Sequence, residues 1–280
     1  MTQIIGFSGR ATSGKNTCCN FILGHCMTAL NIVRGAFKVT NQGQLFVEDI
    51  FGDTTHQGII DVTNPNKEVR KFWNTHLDPY VKLYSLADLI KQNICIDLLG
   101  LSYESVYGNN EQKSQVTTLL WENMPGVITQ EKWNTVYQAF KQTQKLLPQD
   151  LNLFVHDPGP MSGREVMQYV GTNIFRRMYE NIWADALVRR IQNDNPAIAL
   201  VCDVRFPGEV AKITENNGVV IRLTRVPYPE MTHESELALD RENFNWDNFQ
   251  YILDNTELDI PAQNMAIYQI MKELNLVVEK

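Results

Sequence analysis

The residues with the clearest chemical potential lie near the start of the chain: Gly9-Arg10-Ala11-Thr12-Ser13-Gly14-Lys15-Asn16-Thr17. They fit the spacing G-x-x-x-x-G-K, between an apolar run (Ile4 to Phe7) and a segment with apolar residues at helical spacing (Asn16 to Ala29). Glycines let a main chain curl until its N–H groups converge on phosphate oxygens. A helix starting just beyond adds its positive end, and a lysine adds a mobile cation. The Lys15 side chain is expected to point at solvent or ligand. Asn16 stands where the general pattern has Ser or Thr, and the Thr17 hydroxyl, one residue on, can face phosphate or magnesium in its place. A glycine turn with an exposed lysine is the plainer alternative. A second constellation is Asp203-Val204-Arg205-Phe206-Pro207-Gly208-Glu209, directly after the apolar run Ala197 to Cys202. Strand ends of this kind face the ligand crevice of an open α/β sheet. There Asp203 can hold magnesium through water, orient Arg205 or contact a sugar. The planar fork of Arg205 suits bidentate phosphate binding, and Glu209 is one helical turn further on. An Asp/Arg ion pair closing the strand is the alternative.

These residues need a scaffold, and the pattern supplies one. Strand-like runs at Val81–Ser85, Ala197–Cys202, Val219–Leu223 and Tyr251–Leu253 alternate with helical segments. Those segments are Leu86–Leu99, Gly163–Gly171, Asn173–Asp194, Pro207–Asn216 and Pro261–Leu274, with Ser162 and Glu165 forming a capping box before Gly163. The alternation predicts an α/β fold with a mainly parallel sheet in a single domain, residues 1–280. Two stretches interrupt it. Residues 33–66 predict a hairpin flap, with Phe37-Lys38-Val39 and Leu45-Phe46-Val47 around Asn41-Gln42-Gly43, then a polar loop through Asn64-Pro65-Asn66. Residues 101–160 predict a helical insertion with helices at Glu111–Glu122 and Gln130–Leu146.

Read together, several segments resemble bacteriophage deoxynucleoside monophosphate kinases, a P-loop NTPase family. They are Gly9 to Thr17; Ser85-Leu86-Ala87-Asp88-Leu89-Ile90-Lys91; Gly163 to Thr172 with Arg176 and Trp183; Asp203 to Glu209; and His233-Glu234-Ser235-Glu236 ahead of Leu239-Asp240 and Leu253-Asp254-Asn255. The resemblance runs from Gly9 to Asn255 and is weakest over the two insertions. It implies a three-layer α/β/α P-loop fold and transfer of the ATP γ-phosphate to a dNMP, with Mg2+. Carried over residue by residue, it puts Gly9, Ser13, Gly14, Lys15, Asn16 and Thr17 on ATP, with Arg225 serving a lid over about 225–245. It puts Lys15, Arg164, Arg176 and Arg205 on the transferring and acceptor phosphates. Gln168, Trp183, Asp203 and Glu209 join Arg164 and Arg205 around the acceptor, and Thr17 and Asp203 reach the metal. Plainer roles stand beside these: Trp183 as core, Arg176 or Lys91 as a solvated helix face, and Arg225 as part of an ordinary polar loop. A phosphomevalonate-type kinase shares a related layout. A non-catalytic nucleotide-binding or assembly protein is a further alternative, consistent with Asn16 and the insertions.

Composition narrows the partners. The 280 residues carry Lys+Arg 25 against Asp+Glu 32, a net charge of −7, which disfavours nucleic acid as a partner. The five cysteines, Cys18, Cys19, Cys26, Cys95 and Cys202, contain no C-x-x-C pair, which points away from disulfides and zinc and towards a reducing compartment. Met1 to Phe7 reads as a strand rather than a signal peptide, and no apolar run reaches membrane-spanning length. The expected setting is cytoplasmic (the host cytoplasm if phage-encoded), with a homodimer as one possible assembly.

Overall fold

The computed structural model describes residues 2–60, 67–142, 153–231 and 234–276. Its contacts group into two compact units, Met1–Ala87 with Asn181–Lys280, and Asp88–Glu180.

The first unit is built on five strands: β1 (Gln3–Ser8), β2 (Val81–Tyr84), β3 (Ile198–Val204), β4 (Val219–Leu223) and β5 (Tyr251–Leu253). They lie in the order β5-β4-β1-β3-β2 and every pair is parallel, with Ile5 opposite Leu200 and Gly6 opposite Val220. A parallel sheet must be covered on both faces, so its strands need apolar side chains in both directions. Ile5, Phe7, Leu200, Cys202, Ile221 and Leu223 enter one core with helices α1 (Lys15–Ala29) and α4 (Ile260–Glu273), through Cys18, Ile22, Leu23, Ile267 and Met271. Their neighbours Ile4, Ala199, Val201, Val204 and Val220 enter a second core, with Leu187 and Ile191 of α2 (Ile182–Asp194) and Val210 and Ile213 of α3 (Pro207–Glu215). The two-residue period thus splits the inner strands between two helical layers, while at the edge strand β5 Tyr251 and Leu253 join the first core and Ile252 is exposed. Because the strands are parallel, the carboxyl ends of β1, β2, β3 and β4 share one edge, which carries Gly9, Ser85, Arg205 and Arg225.

The hairpin in the 33–66 stretch forms as Phe37–Val39 paired with Leu45–Val47. It is tied to the first core by the buried Leu45 and Val47. A third strand, Gly58–Ile60, adds to it where only a polar loop was expected. The Asp49 carboxylate organises the approach, accepting from the amides of Arg34, Gly35 and Gly52 at 3.1, 2.5 and 2.6 Å. Asn64-Pro65-Asn66 lies outside the described residues.

The second unit contains the predicted capping box. The Ser162 amide donates to Glu165 Oε2 at 2.7 Å and the Glu165 amide to Ser162 Oγ at 3.3 Å, starting the helix Gly163–Gln168. The expected helix Glu111–Glu122 is corrected. Asn110–Ser114 is helical and Trp121–Asn123 is a single 3₁₀ turn, but Val116–Leu120 between them, which opens Val-Thr-Thr, is a strand paired antiparallel with Pro160–Ser162. Branching at Cβ favours the extended chain. The helix expected over Asn173–Asp194 is likewise two helical segments, one ending near Met178 and α2 beginning at Ile182. Gln130–Gln142 is helical; 143–146 lie outside the described residues. Among the described residues, no helix is long and apolar enough to cross a membrane.

Candidate functional site

The loop between β1 and α1 can be formed only with glycine at two of its positions. Gly9 has φ +154° and a Cβ there would lie 2.5 Å from Ser13 Oγ and 3.2 Å from the Leu223 carbonyl oxygen. Gly14 has φ +105° and a Cβ would meet Gln263 Oε1 at 2.9 Å. Thr12, although β-branched, is held at φ +56°, a strained conformation of the kind that clusters at ligand-binding loops. Gly14 provides no side-chain cap, so the first-turn amides of α1 keep their hydrogen-bonding capacity for a ligand. Ser13 is buried and its Oγ has no hydrogen-bond partner among the described residues.

Of the two expected directions for the Lys15 side chain, solvent or ligand, the structure rules out solvent. Lys15 is 7% exposed, and its Nζ donates to the carbonyl oxygens of Gly9 and Arg10, both at 2.7 Å. The loop's curvature turns two carbonyls towards one point, and the ammonium satisfies both. Burial, and then the charge of Arg205, lower its pKa to about 8 against the pull of Glu236 and Asp203.

Lys15, Asp203 and Arg205 therefore lie within electrostatic reach of one another. Asp203, at the end of β3, accepts from Ser85 Oγ at 2.6 Å and from the amides of Leu86 and Ala87 at 2.8 and 3.1 Å, so it fixes the segment after β2. Arg205 pairs with the Glu236 carboxylate and lies 3.5 Å from Ser235 Oγ. Glu209 is buried, and its Oε2 accepts from the amides of Arg205 at 2.7 Å and Phe206 at 3.1 Å. It caps α3 and positions Arg205. Glu236 also accepts from the Ala11 amide at 2.7 Å. Burial raises its pKa, but Arg205 and the Ala11 N–H outweigh burial and hold it below the ordinary carboxylate value. Its near neighbour Asp240 is held by Arg10 at 2.5 Å and by the buried Arg222 at 3.0 Å.

The back of the loop is braced from the far end of the sequence. Arg225 donates to the Asn255 carbonyl at 2.7 Å and to that of Leu258. The fully buried Asn255 donates to the Ser13 carbonyl and to Gln263 Oε1, both at 2.7 Å. Asn255→Ala would leave a buried carbonyl and a buried amide without partners. It is expected to cost about 1–3 kcal/mol of stability, measured by urea unfolding. An unchanged unfolding midpoint would show that the brace carries no weight.

Asn16 is exposed, and Thr17 faces Gly43 of the hairpin turn, where a Cβ on the glycine would collide with Thr17 Oγ1. Trp183 packs against the second core. In the second unit Arg164 is exposed and donates to Asn110 Oδ1 at 2.8 Å; Gln168, four residues on, is also exposed. Arg176 is half-buried and its neighbour Arg177 exposed. His233 lies outside the described residues. Gln263, Arg222 and Asp240 also support the loop, without being among the residues that the sequence pattern singles out. The one local signal for Gln263 was a polar residue early in an otherwise amphipathic last helix. Among the described residues, no three His, Cys, Asp or Glu side chains group to hold a metal.

No protein-family model matches the chain. A deoxynucleoside-5'-monophosphate kinase of Escherichia phage T5 is 40% identical to it over 58 residues, which are 20% of this chain and 23% of that protein. The match thus spans under a quarter of the relative's length, and it supports a nucleotide-kinase-like phosphotransferase.

Proposed function

We propose that this chain is a P-loop deoxynucleoside monophosphate kinase, transferring the γ-phosphoryl group of ATP to a dNMP to give dNDP and ADP. The observation that carries the reading is the Gly9–Lys15 loop, which combines two positive-φ glycines, the uncapped start of α1, the orphan Ser13 hydroxyl and Lys15 within electrostatic reach of Arg205. That donor set suits a polyphosphate. The local likeness to a phage deoxynucleoside-5'-monophosphate kinase supports the acceptor class.

On this reading the loop amides and Lys15 bind the β- and γ-phosphates, with Lys15 exchanging the Gly9 and Arg10 carbonyls for phosphate oxygens. Arg205 exchanges Glu236 for the transferring group, and Glu209 keeps its main chain in place. Arg225 acts on the ATP side through the Asn255 brace. Arg164 and Arg176 bind the acceptor phosphate, and Gln168 and Trp183 the rest of the acceptor. An acceptor phosphate oxygen attacks the γ-phosphorus in line as the bond to the ADP oxygen breaks. The acceptor phosphate is already anionic near neutral pH, so positioning and charge neutralisation dominate. Magnesium, arriving with ATP, would neutralise charge on the β- and γ-oxygens. Thr17, one of the two expected metal residues, turns its Oγ1 towards Gly43 of the hairpin, so it would have to change rotamer to reach the ion. Asp203 is assigned through water, because both its oxygens already accept from Ser85, Leu86 and Ala87.

The test is a coupled ADP-release assay with ATP, Mg2+ and each dNMP in turn. Turnover is expected with at least one dNMP and with no free nucleoside. Turnover on phosphomevalonate alone would move the acceptor class. ATP binding without turnover on any acceptor would leave a binding protein and reject the kinase.

A further inference from the structure

We propose that Lys91, Lys113 and Arg164 form an anion site in the second unit that takes a phosphate monoester dianion, the 5'-phosphate of the acceptor nucleotide. The proposal deepens the kinase reading and rests on it for the nucleotide; it assigns Lys113 and Lys91 to binding.

Three cations come from three packed segments. Lys91 lies on Leu89–Leu98, Lys113 on Asn110–Ser114 and Arg164 on Gly163–Gln168. Gly163 lies so close to the Ser105 main chain that a Cβ there would collide with the Ser105 carbonyl, which holds the Arg164 helix against Tyr103–Tyr107. Arg164 donates to Asn110 Oδ1 at 2.8 Å, and Asn110 opens the helical turn on which Lys113 sits three residues later. That turn is fixed at its start by reciprocal bonds between Asn109 and Gln112, both 2.9 Å. Lys91 Nζ lies 5.0 Å from the centre of the Tyr107 ring, which directly precedes the turn.

No carboxylate of the described residues pairs with any of the three within 4.0 Å, in a chain whose net charge is −7. Of the acids on and beside these segments, Asp88 accepts from Tyr107 Oη at 3.4 Å, Glu165 accepts from the Ser162 amide at 2.7 Å, and Glu111 forms no ion pair with the three among the described residues. Burial, then the charges of Lys91 and Arg164, hold Lys113 below the usual lysine range. Like charges gathered without a counter-charge repel, and a ligand that brings about two negative charges relieves all three at once. Lys91 and Lys113 are half-buried and Arg164 is exposed, so solvent reaches the cluster. Arg164 supplies a planar fork and the lysines supply movable point charges, a combination suited to a tetrahedral dianion more than to a single carboxylate.

The experiment is isothermal titration of the full chain with each dNMP, the matching nucleosides and ATP, for wild type, Lys113→Ala, Lys113→Arg and Lys91→Ala. Thermal melts would check folding. Wild type is expected to bind a dNMP at least about tenfold more tightly than its nucleoside. Lys113→Ala is expected to remove about tenfold of dNMP affinity, leave nucleoside and ATP affinity unchanged, and be rescued mostly by Lys113→Arg. Equal dNMP affinity in wild type and both alanine variants overturns the anion site and leaves the kinase reading standing. ATP binding with no dNMP binding to wild type overturns both. If short single-stranded DNA binds wild type tightly and loses that binding in Lys113→Ala, the cluster serves a nucleic acid and the proposal is likewise overturned.

Discussion

On the proposed reading Lys15→Met is expected to lower turnover by about 10³-fold, because the loop's other cation, Arg10, is held by Asp240, and Lys15 is the one that faces the oxygens where charge develops during transfer. The substitution keeps the length of the side chain and removes its charge. It also deletes the two 2.7 Å bonds to Gly9 and Arg10. Against that loss stands relief from burying an ammonium whose pKa has fallen to about 8. A lysine depressed in the folded state favours unfolding wherever it is charged. The penalty is full below about pH 8 and fades as pH rises from there towards the ordinary 10.5. Folding is therefore expected to survive, with a Tm at pH 7 close to wild type. The same shift predicts a proton linkage. Near pH 8 Lys15 is about half charged in the free protein, and polyphosphate stabilises the charged form. ATP binding should then take up protons at that pH, and affinity should fall above it. Calorimetry in buffers of different ionisation enthalpy measures the uptake, and Lys15→Met should abolish it. If Lys15→Met turns over at near the wild-type rate, the loop does not bind the transferring phosphates.

What could be read from the sequence was local. The strand–loop–helix around Gly9 to Lys15 is legible because strand period, glycine spacing and helix period all fall within thirty residues. The box at Ser162 and Glu165, and α3 between Pro207 and Asn217-Gly218, are legible for the same reason: cap and stop signals act over three or four residues. Legibility failed where distant chain decides. Val116–Leu120 becomes a strand because Pro160–Ser162 lies beside it. Glu236 reaches the Ala11 amide from 225 residues away, and Asn255 reaches the Ser13 carbonyl from 242. Glu209 is a different case. Its place at the third helical position after Phe206 was a capping signal available in the sequence, yet the expectation there was contact with a ligand. In the structure, a carboxylate bonded to two amides works through the residue whose main chain it holds.

Arg205→Ala is expected to cost about 10³-fold in turnover, the range found when an arginine that stabilises a transferring phosphoryl group is removed. Arg205→Lys should recover only part of it, since an ammonium cannot reproduce the two-pronged fork. The ion pair with Glu236 makes the result more informative than a simple loss. In the free protein Arg205 is occupied by a carboxylate that also holds the Ala11 amide, so the arginine must leave Glu236 to reach phosphate. Without Arg205, the Glu236 charge acts on Lys15 unopposed. The repulsion that helps to depress the lysine disappears while the attraction that raises it remains. The pH at which ATP affinity begins to fall should therefore move above about 8 in Arg205→Ala and stay there in Arg205→Lys only to the extent that the new ammonium sits farther from Lys15. Glu236→Gln should shift the same inflection downward, because it removes an attraction and leaves the repulsion. A double-mutant cycle of Arg205→Ala and Glu236→Gln separates the effects: the pair should be non-additive in the pH profile. Its loss of turnover should exceed that of Arg205→Ala alone only by what the Ala11 bond and the Glu236 charge on Lys15 contribute. Turnover in Arg205→Ala within a few-fold of wild type would instead confine Arg205 to anchoring the Glu234–Leu237 helix and leave the transferring group to other cations.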